Sequence, residues 1–292
     1  MAGRALAPIF LDADTAPVTG KSPVVRRPSK KRIAFGWYGG KYSHLDWLLP
    51  LLPVTRQYCE PFGGSAAVLI NKPPSLVETY NDIDGDVVNF FRVLRSDPDE
   101  LRRQIALTPF SREEYFIALQ DDTGEPPIER ARRFYIRARQ TRTGLAQTAS
   151  LGRWANCKNS SRSGMAGVVS RWLGGVDALG DIADRLARVQ IENRPALNVI
   201  DLYDDPDTLL YCDPPYLHET RGDSAAYGFE LATEDHLALA GRLRSCRGKV
   251  AISGYRCDFM DREFAGWRRF DAPPHHCHSI KQPRIESLWM NY

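Results

Sequence analysis

Apolar and polar positions fall into blocks along this chain, and the period changes from block to block. From Phe35, FGWYGGKYSHLDWLLPLLP sets a Gly-Gly turn before an apolar-periodic stretch, which predicts a loop feeding a helix. RQYCEPFGGSAAVLIN predicts a short strand at Gln57 to Cys59, a Gly-rich turn, and a helix from near Ser65. LVETYNDID predicts a second strand, Leu76 to Tyr80, with acidic residues at its end. DVVNFFRVLR carries apolar residues at helical spacing, and Asp97-Pro98 marks its end. Late in the chain the pattern resumes. VQIENRPALNVI and TLLYCDPPY read as two strands, HLALAGRLRSC as a helix, GKVAISGY as a strand and RIESLWMNY as the closing strand.

Strand, Gly-rich turn, helix, strand and acidic end open a Rossmann-like unit, so the expected class is α/β. Between Pro98 and Leu186 the texture differs. SREEYFIALQ and IERARRFYIRARQTR are helical, and LGRWANCKNSSRSGMAGVVSRWLGG is rich in Gly, Ser, Asn and Arg. The expected organisation is a basic, flexible tail over 1–31, one α/β domain over 32–97 and 187–292, and a mainly helical module over 98–186 inserted into it.

Composition changes this picture little. The chain has 292 residues, 43% hydrophobic and 26% charged, enough for a sizeable core. No apolar run approaches the roughly 20 residues of a membrane helix. The N-terminus lacks the basic-then-apolar order of a secretion signal, so a cytoplasmic protein is expected. The cysteines, Cys59, Cys157, Cys212, Cys246, Cys257 and Cys277, are scattered without a CxxC pair and read as reduced thiols. A net charge of +3 does not announce a polyanion binder; the distribution of charge matters more.

The strongest chemical signal is Tyr211 to Tyr216, YCDPPY, at the polar end of a strand, where α/β sheets place ligands. Two prolines cannot continue a strand and fix a rigid turn. That turn offers the Asp213 carboxylate and the Pro214 carbonyl as fixed acceptors, with the ring of Tyr216 beside them. An amino group on an aromatic ring is a poor nucleophile, because its lone pair is delocalised. Two acceptors holding its hydrogens draw it toward a tetrahedral, more nucleophilic nitrogen. In EPFGGSA, Gly63 and Gly64 permit close backbone approach to a nucleotide-like ligand. There is no phosphate loop of the GxxxxGK[ST] kind. Asp82, about twenty residues beyond that turn, suits a grip on ribose hydroxyls, and a helix cap from Asp82 or Asp84 is an equal alternative. Trp37 can stack on an adenine ring, and Lys41 can meet a carboxylate.

Taken together, these blocks resemble the Dam-like, alpha-group adenine-N6 DNA methyltransferases. The ordered matches are Trp37 to Lys41, Glu60 to Gly64, Asn81-Asp82, the insertion, Asp213 to Tyr216, and Asn291-Tyr292. The resemblance spans Phe35 to Tyr292 and is weakest in the insertion. It implies a Rossmann-like S-adenosylmethionine-dependent methyltransferase acting on a flipped-out adenine of double-stranded DNA as a monomer. It also implies that Trp37, Lys41, Asp82 and Asp213 contact S-adenosylmethionine, with Glu60, Phe62 and Gly63 lining its loop. Asp213, Pro214, Pro215 and Tyr216 would form the catalytic turn, Tyr216 stacking on the base. One departure is Ser65-Ala66, where many relatives carry a further Gly. The insertion would then recognise DNA through Arg137, Arg139, Arg142, Arg153, Asn156, Lys158, Asn159 and Arg162, with Trp154 or Trp172 as a wedge. HHCH, His275 to His278, reads as a polar loop rather than a metal site. Two other readings stand beside this one: a protein-glutamine or RNA methyltransferase, and a catalytically silent DNA binder. The target sequence and any membership of a restriction-modification system are not encoded legibly.

Overall fold

The computed structural model describes residues 31–217, 229–273 and 285–292, and residues 31–292 cluster as one compact unit. The predicted first helix is broken into a 3-10 turn (Lys41–His44), α1 (Leu45–Leu48) and a second 3-10 turn (Leu49–Leu51), the last containing Pro50. Proline has no N–H to continue a helical ladder. Next come β1 (Gln57–Glu60), α2 (Ala67–Asn71), β2 (Val77–Asn81) and α3 (Gly85–Ser96). Asp84, not Asp82, caps α3, accepting from the backbone N–H of Asp86 at 2.9 Å.

Residues 98–186 hold α4 (Pro98–Leu107), α5 (Arg112–Ile117), α6 (Pro127–Gln140), a hairpin of β3 (Ser161–Arg162) and β4 (Met165–Ala166), and α7 (Gly167–Leu186). The Gly- and Ser-rich segment thus ends in a 20-residue helix that its composition hid. Trp172, Val176, Leu179, Ile182, Ala183 and Leu186 give α7 a buried stripe at helical spacing. Burial of that stripe outweighs the helix cost of Gly174 and Gly175, about 1 kcal/mol each. Inside the core, Arg185 of α7 grips Glu78 of β2 with both guanidinium nitrogens, at 2.5 and 2.8 Å, fastening this helix to the sheet.

The chain returns through β5 (Val189–Glu192), α8 (Ala196–Tyr203), β6 (Thr208–Cys212), α9 (Thr233–Arg244), β7 (Lys249–Tyr255), α10 (Asp258–Glu263), β8 (Arg268–Asp271) and β9 (Glu286–Met290). VQIENRPALNVI is therefore not one strand. It ends at Glu192, and Pro195, which cannot donate to a ladder, begins α8 instead. β8 carries no sequence signal that distinguished it.

The sheet order is β5-β2-β1-β6-β7-β9-β8, parallel except for β9, which runs antiparallel to both β7 and β8. β6 is buried along its whole length, as its apolar run requires in a sheet covered on both faces. One face packs under Phe35, Phe90, Phe91 and Tyr135, the other under Val199, Leu239, Leu243 and Phe264. From β1 the order runs outward to β2 and β5, and from β6 outward to β7. The crevice lies where those directions part, between β1 and β6.

Candidate functional site

The two motif loops leave the sheet side by side, because β1 and β6 are parallel neighbours with Cys59 opposite Leu210. Beyond β1, Gly63 passes so close to β2 that an added Cβ would lie 2.2 Å from the Tyr80 ring. Gly64 has φ of 48° and lies under Trp37, where a Cβ would meet the indole at 2.6 Å. Glycine is required at both, once for space and once for conformation as well. Asp82 straps the turn, accepting from Gly64 N–H at 2.7 Å and Asp84 N–H at 2.9 Å. Burial pushes its carboxyl up to about 6 despite those bonds. Asn81, wholly buried, donates to the carbonyls of Pro61 and Arg194 and so ties the ends of β1, β2 and β5 together. Glu60 accepts from the Tyr58 hydroxyl at 2.6 Å, and burial pushes it to about 8.

These loops line a cavity of about 400 Å³. Trp37, Lys41, Glu60, Phe62, Gly63, Asp82, Asp213 and Pro215 all reach it. Its size is that of a small-molecule site, and its walls combine apolar surface with a few carboxylates.

On the β6 side, a lysine and a serine converge on one oxygen, with a phenol oxygen beside it. Asp213 Oδ1 lies 2.7 Å from Lys41 Nζ, 2.7 Å from the Ser253 hydroxyl and 3.3 Å from that of Tyr216. Among the described residues no donor reaches Oδ2. Lys41 is buried and also donates to the Gly39 carbonyl at 2.6 Å, with Glu286 3.4 Å away. Its ammonium thus has three acceptors within the protein, at the wall of the cavity where a cofactor carboxylate is expected. Burial alone would lower its pKa, but the Asp213 and Glu286 charges outweigh burial and leave it above the usual lysine value. Tyr216 departs from expectation too. It is 6% exposed, its hydroxyl donates to Glu286, and its ring meets that of Tyr255 edge-on at 4.9 Å. It is a packed ring, not an open platform, and neither it nor Pro214 lines the large cavity.

Residues 37–267 match the family of D12 class N6 adenine-specific DNA methyltransferases. The chain belongs to that family. It is 24% identical over 267 residues to Type II methyltransferase M.MjaIII of Methanocaldococcus jannaschii, covering 79% of this chain and 87% of the relative. It is 26% identical over 229 residues to a DNA adenine methylase of Vibrio cholerae, covering 72% and 75%. The solved rRNA methyltransferase aviRa from Streptomyces viridochromogenes overlaps 84% of this chain and 80% of its own at TM-score 0.34 and 10% identity. The protein is thus a DNA adenine-N6 methyltransferase with a Rossmann-like sheet, which sets aside the silent binder and the protein or RNA enzyme.

In this D12 methyltransferase the candidate DNA residues separate into two groups. Arg137 is spent inside: it donates to Asp86 at 2.9 Å, Asp122 at 3.0 Å and the Ala118 carbonyl at 2.8 Å. It locks α6 to α3, and its expected DNA contact is corrected. Arg139 bonds the Arg171 carbonyl at 2.8 Å and lies over Tyr135. Arg142 and Arg153, beside the Thr141–Trp154 bridge, and Asn156, Lys158, Asn159 and Arg162, running into the β3–β4 hairpin, are exposed, and their cations form no ion pair among the described residues. Trp172 is 2% exposed against Tyr135, and Trp154 is anchored to Gln140, so neither is a free wedge.

Sequence reasoning missed Glu286, Ser253 and Gln147. The first two lie on strands read only for their apolar pattern. Gln147 alone brings the insertion into the cavity lining, with a buried Oε1 that has no partner among the described residues. Among those residues no cluster could hold a metal ion, and no helix is long and apolar enough to cross a membrane. His275 to His278 and the tail lie outside the described residues.

Proposed function

We propose that the β1–β6 crevice binds S-adenosylmethionine and that Asp213 and the Pro214 carbonyl orient N6 of an adenine flipped out of duplex DNA. When bound, this cofactor supplies a methyl group made electrophilic by its sulfonium. The cradle suits it: two glycines that a Cβ would obstruct, an indole over one of them, and the Asp82 carboxylate at the end of β2. Trp37, Glu60, Phe62, Gly63 and Asp82 are its contacts in this reading.

The observation that carries the assignment is the loading of one Asp213 oxygen by Lys41 and Ser253 while the other is left over. A carboxylate so fixed cannot rotate, and Oδ2 accepts one amine hydrogen as the Pro214 carbonyl accepts the second. Flipping is needed because a stacked base keeps N6 out of reach of a buried turn. Residues 98–186 act as the DNA-recognition module, with Arg142, Asn156, Lys158 and Arg162 on phosphates or base edges. The enzyme works as a monomer, as the resemblance implies, and in the cytoplasm.

Transfer of labelled methyl from S-adenosylmethionine to duplex DNA tests this directly, with digestion to nucleosides identifying the product. N6-methyladenine made by the wild type and lost in Asp213→Ala is expected. Full activity of Asp213→Ala would sink the assignment.

A further inference from the structure

Glu286 is the first residue of β9, and the antiparallel register sets it opposite Tyr255 at the end of β7. It is 8% exposed, in a position where an unpaired carboxylate would be costly. Its Oε1 accepts the Tyr216 O–H and faces Lys41 Nζ at 3.4 Å. Lys41 Nζ also lies 2.7 Å from Asp213 Oδ1, and the Tyr216 oxygen, its one proton given to Glu286, lies 3.3 Å from the same atom. Two carboxylates on separate strands therefore share one ammonium and flank one phenol. Each shared group is fixed from both ends. Without Glu286, the Tyr216 proton passes to Asp213 and the lysine keeps the Gly39 carbonyl and Asp213 among the described residues, so the loading of Asp213 changes.

We infer that Glu286 is a positioning residue for methyl transfer: it takes the Tyr216 proton and holds Lys41 in place, so that the lysine loads one oxygen of Asp213 and the other stays directed at the target amine. This rests on the assignment of Asp213 as the amine's acceptor. The arrangement supplies a constraint that the Asp-Pro-Pro-Tyr turn lacks by itself. The turn fixes the backbone, but carboxylate rotation about its last side-chain torsion is broad unless donors pin it. Ser253 pins Oδ1 from β7, and Glu286 acts from β9 through the shared lysine and the phenol it holds. The burial of Tyr216 follows from the same geometry: its hydroxyl is the link between the two carboxylates.

Charge enters as well. Asp213 and Glu286 face one lysine, with the phenols of Tyr211, Tyr216 and Tyr255 around them. Glu286→Gln keeps an acceptor for Tyr216 but removes the charge that competes for Lys41. Lysine then shifts toward Asp213 alone, and the orientation of Oδ1 and Oδ2 is set by one fewer restraint.

The test is steady-state methylation of duplex DNA together with S-adenosylhomocysteine binding, in wild type, Glu286→Gln, Tyr216→Phe, the double variant and Asp213→Ala. Glu286→Gln is expected to lower kcat by about 10- to 100-fold, the scale of a misplaced reacting group. KM for S-adenosylmethionine and the S-adenosylhomocysteine Kd should stay within about 3-fold, since Glu286 itself does not line the cavity. Tyr216→Phe should lower kcat too, and the double variant should fall short of the product of the two losses, because both act on one carboxylate. A raised KM with unchanged kcat, or a lowered melting temperature with unchanged kcat, overturns the inference. If Glu286→Gln does not fold, Tyr216→Phe carries the test alone: it removes the link between the carboxylates, and unchanged kcat there overturns it. Activity retained in Asp213→Ala instead refutes the assignment of Asp213, on which the inference rests.

Discussion

At the carboxyl ends of β1 and β6 the buried charges meet partners inside the protein, whereas around the β3–β4 hairpin the cations face outward and unpaired. Lys41 has three acceptors and Asp213 Oδ1 two donors, all within one chain. Arg142, Arg153, Lys158 and Arg162 lie on the surface with no carboxylate against them among the described residues. The contrast teaches what each region is for. A closed network fixes a reacting group at a small cost in reorganisation, while open cations wait for a polyanion that arrives from outside. Arg137 marks the border between the two. It belongs to the basic module in sequence, yet Asp86 of α3 claims it.

The largest effect that would break this comparison lies in the closed network. Asp213→Ala should lower kcat by about 100- to 1,000-fold or more, the usual loss when a preorganised group is removed at a reacting centre. S-adenosylhomocysteine binding, measured by calorimetry, should change far less, since the cradle lies across the crevice. Loss of binding equal to the loss of rate would mean that Asp213 serves the cofactor rather than the amine. Next in size is Gly63→Ala. The new methyl would overlap the Tyr80 ring and lie 2.9 Å from the Asn81 carbonyl, which cannot yield. A loss of about 1–3 kcal/mol of stability is expected from such overpacking, read from urea midpoints, with cofactor affinity lost alongside.

Two arginines sharpen the contrast between the regions. Arg137→Ala leaves Asp122 half-satisfied in a partly buried site and should cost about 1–3 kcal/mol of stability. Arg162→Ala should leave stability within about 0.5 kcal/mol and weaken DNA binding. If Arg162 meets one phosphate, the slope of log K against log salt should shrink by about 1. Fluorescence anisotropy across a salt series checks both. Unchanged DNA affinity in Arg162→Ala would remove the hairpin from the proposed interface.

Much of the catalytic half was legible from residues. EPFGG, ND and DPPY each announce a turn at a strand's end, and turn chemistry is local enough to read along the chain. The strands β1, β2, β6, β7 and β9 follow from apolar runs bounded by such turns. What stayed hidden depended on distant partners. Nothing near Arg137 tells that Asp86, far back in sequence, will bind it; nothing near Tyr216 tells that Glu286 will take its hydroxyl. The helix α7 was obscured for the same reason, since its glycines argue against a helix until α6 is packed beside it. Pro195 could have been read as the end of β5, and the apolar letters around it were given too much weight.

The smallest effect concerns Asp82, which belongs to the closed side yet titrates near neutrality. Its carboxyl is raised from 3.8 to about 6, chiefly by burial, so the folded state holds the proton over a range where the unfolded chain has released it. Stability from this group is therefore fully present below about pH 3.8 and is lost as pH rises through about 6. Asp82→Asn cannot titrate, so it removes that slope. Its own penalty, one amide facing two backbone N–H donors, is independent of pH. The stability of the wild type relative to Asp82→Asn should accordingly decline between pH 4 and about 6 and run flat above it. Chemical denaturation at several pH values measures the difference. A difference that rises with pH would show Asp82 to be held by charge rather than by burial, and the turn at Gly64 would then belong with the open, cation-rich region in its electrostatics.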